Sequence, residues 1–155
     1  MNGGRGQRSM VPPRDDVLSI RATGAEVRRA SEWLELACQQ RGVPERTAER
    51  LVLSLNEALA NVIFHGGAGA LLSPVHLRLE VIVDAHEGKA SVTVSDAGIA
   101  FNPLTVAAKP RPTSLEETVP GGLGLVMIRR FSDCLDYRHE DGRNHLTFGA
   151  TWIAP

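Results

Sequence analysis

Asn56-Glu57-Ala58-Leu59-Ala60-Asn61-Val62-Ile63-Phe64-His65-Gly66 lies in the second half of a helix predicted from about Glu45 to His65. Ala48, Leu51, Val52, Leu55, Leu59, Val62 and Ile63 recur at the helical period and form one apolar stripe. At about 100° per residue, the opposite side carries Ser54, Glu57, Asn61 and His65. Glu57, Asn61 and His65 are spaced i, i+4, i+8, so they stack along one face. One reading of that row is an ordinary solvated face. The other is a ligand face. Long charged residues leave the row after Arg50, and Ala58 and Ala60 flank Glu57 and Asn61, so a ligand can approach closely. The residue types suit such a role. An amide oxygen is a hard ligand for Mg²⁺, and a carboxylate one turn away can take a proton or orient water.

Upstream, Val17 to Ala22 alternates and predicts a short strand with Leu18, Ile20 and Ala22 on one face. Thr23 followed by Glu26 is a capping-box pattern. Behind it Val27, Ala30, Leu34, Ala37 and Cys38 predict a first helix, stopped by Gly42 and Pro44. Downstream, Gly66-Gly67 reads as the C-cap of the second helix. Ser73 and Pro74 mark a loop. Val75 to Val83 and Ala90 to Ser95 then alternate as two strands of a hairpin, with a turn over Asp84 to Lys89. Pro103 to Pro120 holds four prolines and little periodicity, and reads as a lid. An apolar helix follows through Val126, Met127 and Phe131. Two closing strands come last, one with Leu135 and Tyr137, the other with Leu146, Phe148, Ala150 and Trp152. That order predicts a two-layer α/β sandwich, with a mixed, largely antiparallel sheet and helices on one face.

The 155 residues are one domain's worth of chain, expected over 15–155 behind a flexible tail at 1–14. Seventeen Lys and Arg against eighteen Asp and Glu remove the basic footprint of a nucleic-acid binder. An aromatic content of 5% argues against a base-stacking platform. No apolar run is long enough to span a membrane, and the tail has no apolar core of a secretory signal. Cys38 and Cys134 lack CxxC spacing, so a disulfide framework or zinc site is not expected, and a reducing cytoplasm fits.

Two glycine-containing segments complete the pattern. In Asp96-Ala97-Gly98-Ile99-Ala100-Phe101-Asn102-Pro103, Asp96 continues the inward face of Ala90, Val92 and Val94. A buried carboxylate needs hydrogen-bond partners. Two readings fit it: a turn aspartate that bonds nearby backbone N–H groups, or an acceptor for an exocyclic amine such as that of adenine, with Gly98 keeping the backbone clear of the ring. Gly121-Gly122-Leu123-Gly124-Leu125 precedes a helix. It is a flexible loop start or a close backbone approach to phosphate at a helix N-terminus.

In order and spacing, these three segments resemble the N, G1 and G2 boxes of the GHKL ATPase superfamily, built on the Bergerat ATP-binding fold. The resemblance covers about residues 15 to 152. Small size, the Asp-x-Gly-x-x-Phe form of the second box and the lack of a phosphoacceptor hairpin make the chain similar to the compact branch of RsbW/SpoIIAB-like anti-sigma factor serine kinases. Ala100, where much of the superfamily carries Gly, agrees with that branch.

The resemblance implies Glu57 as general base toward a serine hydroxyl and Asn61 as the Mg²⁺ ligand. It implies Asp96 as acceptor of the adenine amine, with Gly98 and Phe101 beside it, and Gly121, Gly122, Gly124 and Leu125 along the phosphates and the lid hinge. For His65, packing under the lid and contact with phosphate both remain open, as do phosphate contact and solvation for Lys109 and Arg111. The cofactors implied are ATP and Mg²⁺. The partners implied are a STAS-domain anti-anti-sigma protein as substrate, a sequestered sigma factor or other regulator, and a second copy in a homodimer, with no direct contact to nucleic acid or membrane. The competing readings are a non-catalytic ATP-binding adaptor and a detached histidine-kinase-like ATPase domain.

Overall fold

A computed structural model describes residues 16–105 and 128–155. The expected tail at 1–14, most of the expected lid, Lys109, Arg111 and the glycine segment 121–125 lie outside the described residues.

The elements run β1 (Asp16–Ile20), α1 (Gly24–Gln40), α2 (Glu45–His65), α3 (Gly67–Leu72), β2 (Val75–Val83), β3 (Glu87–Asp96), a short 3₁₀ turn at Pro103–Thr105, β4 (Cys134–Glu140) and β5 (Arg143–Ile153). Residues 128–131 are helical. The five strands form one sheet in the order β1-β2-β3-β5-β4. Every pairing among them is antiparallel, so the described sheet holds none of the parallel pairs a mixed sheet would have. Two-residue alternation puts Leu77, Leu79, Val92, Val94, Leu146 and Phe148 on the face that meets the helices. From the helix layer, Leu34, Leu51, Leu55 and Leu59 close the core, each 2% exposed or less. Each such leucine contributes about 1.5–3 kcal/mol by leaving water.

Local chemistry explains most of the boundaries. Thr23 adopts the extended N-cap backbone, but its side chain makes no capping bond. The capping box is therefore incomplete: Glu26 instead accepts from the Arg29 guanidinium at 2.9 Å. The β2–β3 turn is shorter than expected. Asp84 Oδ1 accepts from the backbone N–H of His86 and Glu87, both at 2.8 Å, so β3 begins already at Glu87. Asp141 and Gly142 have φ of 52° and 73°, the left-handed pair that a two-residue hairpin between β4 and β5 requires.

Two expectations are corrected. Gly66-Gly67 does not simply end a helix. Gly66 stays right-handed at φ −72°, Gly67 turns at φ +68°, and the chain restarts as α3. A hexapeptide containing two glycines gives little helical signal, but Ala70 is fully buried and anchors it. The polar row on α2 is also not a row opposite the core. Ser54 and Asn61 are 1% and 8% exposed. The buried arc of α2 is wide, running through Thr47, Leu51, Ser54, Leu55, Ala58, Leu59, Asn61 and Val62.

Both cysteines are free. Burial above all, then the charge of Asp16, pushes the Cys38 thiol up to about 12, so it packs as an apolar group. No helix among the described residues is long and apolar enough to cross a membrane.

Candidate nucleotide site

The last two turns of α2 lie over the end of β3 and the start of β5, and a cavity opens between them. Ala58, Asn61, Val62, His65 and Gly66 line it from the helix side. Val94, Asp96, Asn144 and Leu146 line it from the sheet, Tyr137 from β4, and Ile99, Phe101 and Pro103 from the loop after β3. Apolar walls with a few fixed polar groups are the usual form of a small-molecule site.

Asp96 is 7% exposed. Its Oδ1 accepts from the backbone N–H of Gly98 at 2.9 Å and from Asn144 Nδ2 at 3.2 Å. The turn reading is therefore realised by one oxygen. Neither bond uses Oδ2.

The loop after β3 is seated on α2 by a bond from the Ile99 N–H to the Gly66 carbonyl at 3.0 Å. That seat needs a glycine at 98. A Cβ there would stand 2.7 Å from Gly66 O and 2.8 Å from Asp96 Oδ1. The space Gly98 keeps clear is thus toward Gly66 and the carboxylate. Gly98→Ala is expected to cost about 1–3 kcal/mol, lowering the melting temperature by about 3–10 °C. A variant that melts with the wild type would contradict this packing.

Asn61 sits one turn before His65 with both amide atoms buried, and neither Oδ1 nor Nδ2 has a hydrogen-bond partner among the described residues. An unsatisfied buried polar group costs about 1–3 kcal/mol. The donor set suits magnesium bound to a nucleotide: one amide oxygen from the chain, with phosphate and water supplying the remaining positions. The amide Nδ2–H suits a phosphate oxygen.

His65 is exposed and stacks on Phe101, ring centroids 5.6 Å apart and planes 21° apart. The pair forms one wall of the cavity mouth.

Of the sequence-predicted residues, Asn61, Asp96 and Phe101 line the cavity together. Gly98 supports it from behind. Glu57 does not line it. It is half-buried on α2, one turn before Asn61. Gly121, Gly122, Gly124 and Leu125 lie outside the described residues.

Two polar residues of the site escaped the sequence reading. Asn144 and Tyr137 continue the inward phase of β5 and β4, in step with Leu146 and Phe148 and with Leu135. A polar residue in that phase was the available signal. Burial first, with the Asp96 charge adding and the Phe101 N–H opposing, raises the Tyr137 phenol above its usual value, so it stays a donor.

The two-layer α/β fold thus places a buried amide on α2 and a buried carboxylate at the end of β3. The family model described as a histidine kinase-like ATPase domain matches residues 20–149. The serine/threonine-protein kinase BtrW of Bordetella bronchiseptica is 31% identical over 132 residues, covering 85% of this chain and 90% of that relative. The serine-protein kinase RsbW of Bacillus mycoides is 26% identical over 98 residues, 61% of this chain and 58% of that relative.

Among solved structures, the RsbU and RsbW domains of Rv1364c from Mycobacterium tuberculosis align with a TM-score of 0.66 and 17% identity. That match covers 93% of this chain and 34% of the other. One chain of the SiaB-SiaC complex from Pseudomonas aeruginosa aligns with a TM-score of 0.53 and 15% identity, over 88% of this chain and 89% of that one. The chain belongs to the histidine kinase-like ATPase domain family, within its serine/threonine-protein kinases.

Proposed function

We propose that this chain, as a single domain over 15–155, is the serine kinase of a bacterial partner-switching system. In this reading it binds Mg-ATP in the α2–β3–β5 cavity and phosphorylates a STAS-domain anti-anti-sigma protein on serine. It also sequesters a sigma factor or other regulator, as a homodimer. The observation that carries the reading is Asn61, buried with both amide atoms unpartnered among the described residues, in the cavity that Asp96 also lines.

Each residue has a stated part. Asp96 Oδ2 accepts the amine of adenine. Phe101 and His65 wall the base side. Asn61 Oδ1 holds the magnesium, and Nδ2 a phosphate oxygen. Bound magnesium supplies neutralisation of phosphate charge, which together with positioning is most of what phosphoryl transfer needs. Glu57 takes the proton from the serine hydroxyl as the serine oxygen bonds to the γ-phosphorus and the bond from that phosphorus to ADP breaks. Gly121, Gly122, Gly124 and Leu125 line the phosphates and the lid, a part that rests on the sequence resemblance.

Asn61→Ala tests the carrying observation. It is expected to remove the gain in ATP affinity that Mg²⁺ gives, while the nucleotide-free protein melts no lower, since two unsatisfied groups are lost. An intact magnesium dependence would make Asn61 a structural residue and overturn the assignment.

A further inference from the structure

We infer that Asn144 is a positioning residue that fixes the orientation in which the Asp96 carboxylate is offered to the base, and so sets adenine selectivity. This rests on the reading of Asp96 as the amine acceptor. Asp96 and Asn144 face each other in register across β3 and β5. Asn144 is 5% exposed. Its Nδ2 lies 3.2 Å from Asp96 Oδ1, 3.3 Å from the Gly98 carbonyl and 2.9 Å from the Ile99 carbonyl. Its Oδ1 accepts from the Phe101 N–H at 3.2 Å and from the Tyr137 hydroxyl.

Three acceptors on one side and two donors on the other admit the amide in one orientation only. An aspartate here would turn a negative oxygen toward three acceptors. An alanine would leave the group without any of these partners.

The consequence falls on Asp96. The terminal torsion of a carboxylate is broad, so a single hydrogen bond leaves the oxygen room to swing. The Gly98 N–H, from Asp96's own turn, is one such bond. Asn144 adds a second anchor on the same Oδ1 from the neighbouring strand. The protein thus occupies Oδ1 from two directions and leaves Oδ2 for the ligand. The same amide holds the backbone of Phe101, whose ring stacks on His65. One side chain therefore ties the hydrogen-bonding acceptor to the aromatic wall of the site. A mere loop brace would stabilise the turn without affecting which base is chosen.

The two roles separate in a ratio of affinities. The full chain is titrated, with Mg²⁺, with ATP and with purine riboside triphosphate, which lacks the 6-amino group. Loss of a hydrogen bond to a charged acceptor predicts that the wild type favours ATP by about tenfold or more. In Asn144→Ala both affinities fall, and the ratio drops to under about threefold because the acceptor is no longer held. A ratio still near the wild-type value, with both affinities lowered alike, makes Asn144 a loop brace and overturns the inference.

Should Asn144→Ala not fold, Tyr137→Phe decides. It removes one donor to the amide and keeps the ring, so the ratio is expected to fall by about twofold to fivefold. An unchanged ratio there overturns the inference. A wild type with no preference for ATP would overturn the Asp96 reading itself, a different result from a preference that survives in the variants.

Discussion

Asp96→Asn is expected to weaken ATP binding by about 30-fold to 1000-fold, or about 2–4 kcal/mol. The size follows from the neighbours. The Gly98 N–H and Asn144 Nδ2 are both donors directed at Oδ1. They hold the oxygen of the new amide where Oδ1 was and turn its NH₂ toward the cavity. The amine of adenine then meets a donor where it needs an acceptor. The substitution is nearly isosteric, so the nucleotide-free protein should keep its fold. Calorimetric titration with Mg-ATP, alongside a melting curve, measures both effects. Unchanged affinity would mean that Asp96 does not read the base.

Glu57→Ala is expected to leave ATP affinity within a few-fold of wild type. It should lower the rate of phosphate transfer by about 10²-fold to 10⁴-fold, the usual contribution of a positioned general base. Glu57 is half-buried and lies outside the cavity lining, so its loss should not disturb nucleotide contacts. A single-turnover assay with saturating nucleotide separates the two effects. Transfer at the wild-type rate would remove Glu57 from the role of base.

The parts of the fold legible in the sequence are those whose period is long and whose environment is simple. α2 runs over Glu45–His65, as its apolar stripe predicts, and the β2–β3 hairpin follows its alternation. α3 was not legible because Gly67-Ala68-Gly69-Ala70-Leu71-Leu72 is short and glycine-rich, and forms only where Ala70 finds a buried place. The inward turn of Ser54 and Asn61 was missed for a related reason. A helical projection assumes one narrow contact stripe, whereas the buried arc of α2 is wide. That error concealed the most informative feature of Asn61, an amide buried without partners.

The site was legible where a motif stays local and obscure where it depends on register. Asp96, Gly98 and Phe101 fall within six consecutive residues. Asn144 meets Asp96 only because β3 and β5 pair in one particular register, and Tyr137 joins them only through the β4–β5 hairpin. Each continues the inward phase of its strand, and no motif surrounds it in sequence.

Transfer of phosphate to a protein serine can be measured directly. The direct measurement is incubation of the full chain with γ-labelled ATP, Mg²⁺ and a STAS-domain protein of the same organism, followed by identification of the labelled residue. Acid-stable label on a serine of the STAS-domain protein is the expected result. Measurable ATP binding with no label on that protein, or acid-labile label on a histidine, would contradict it.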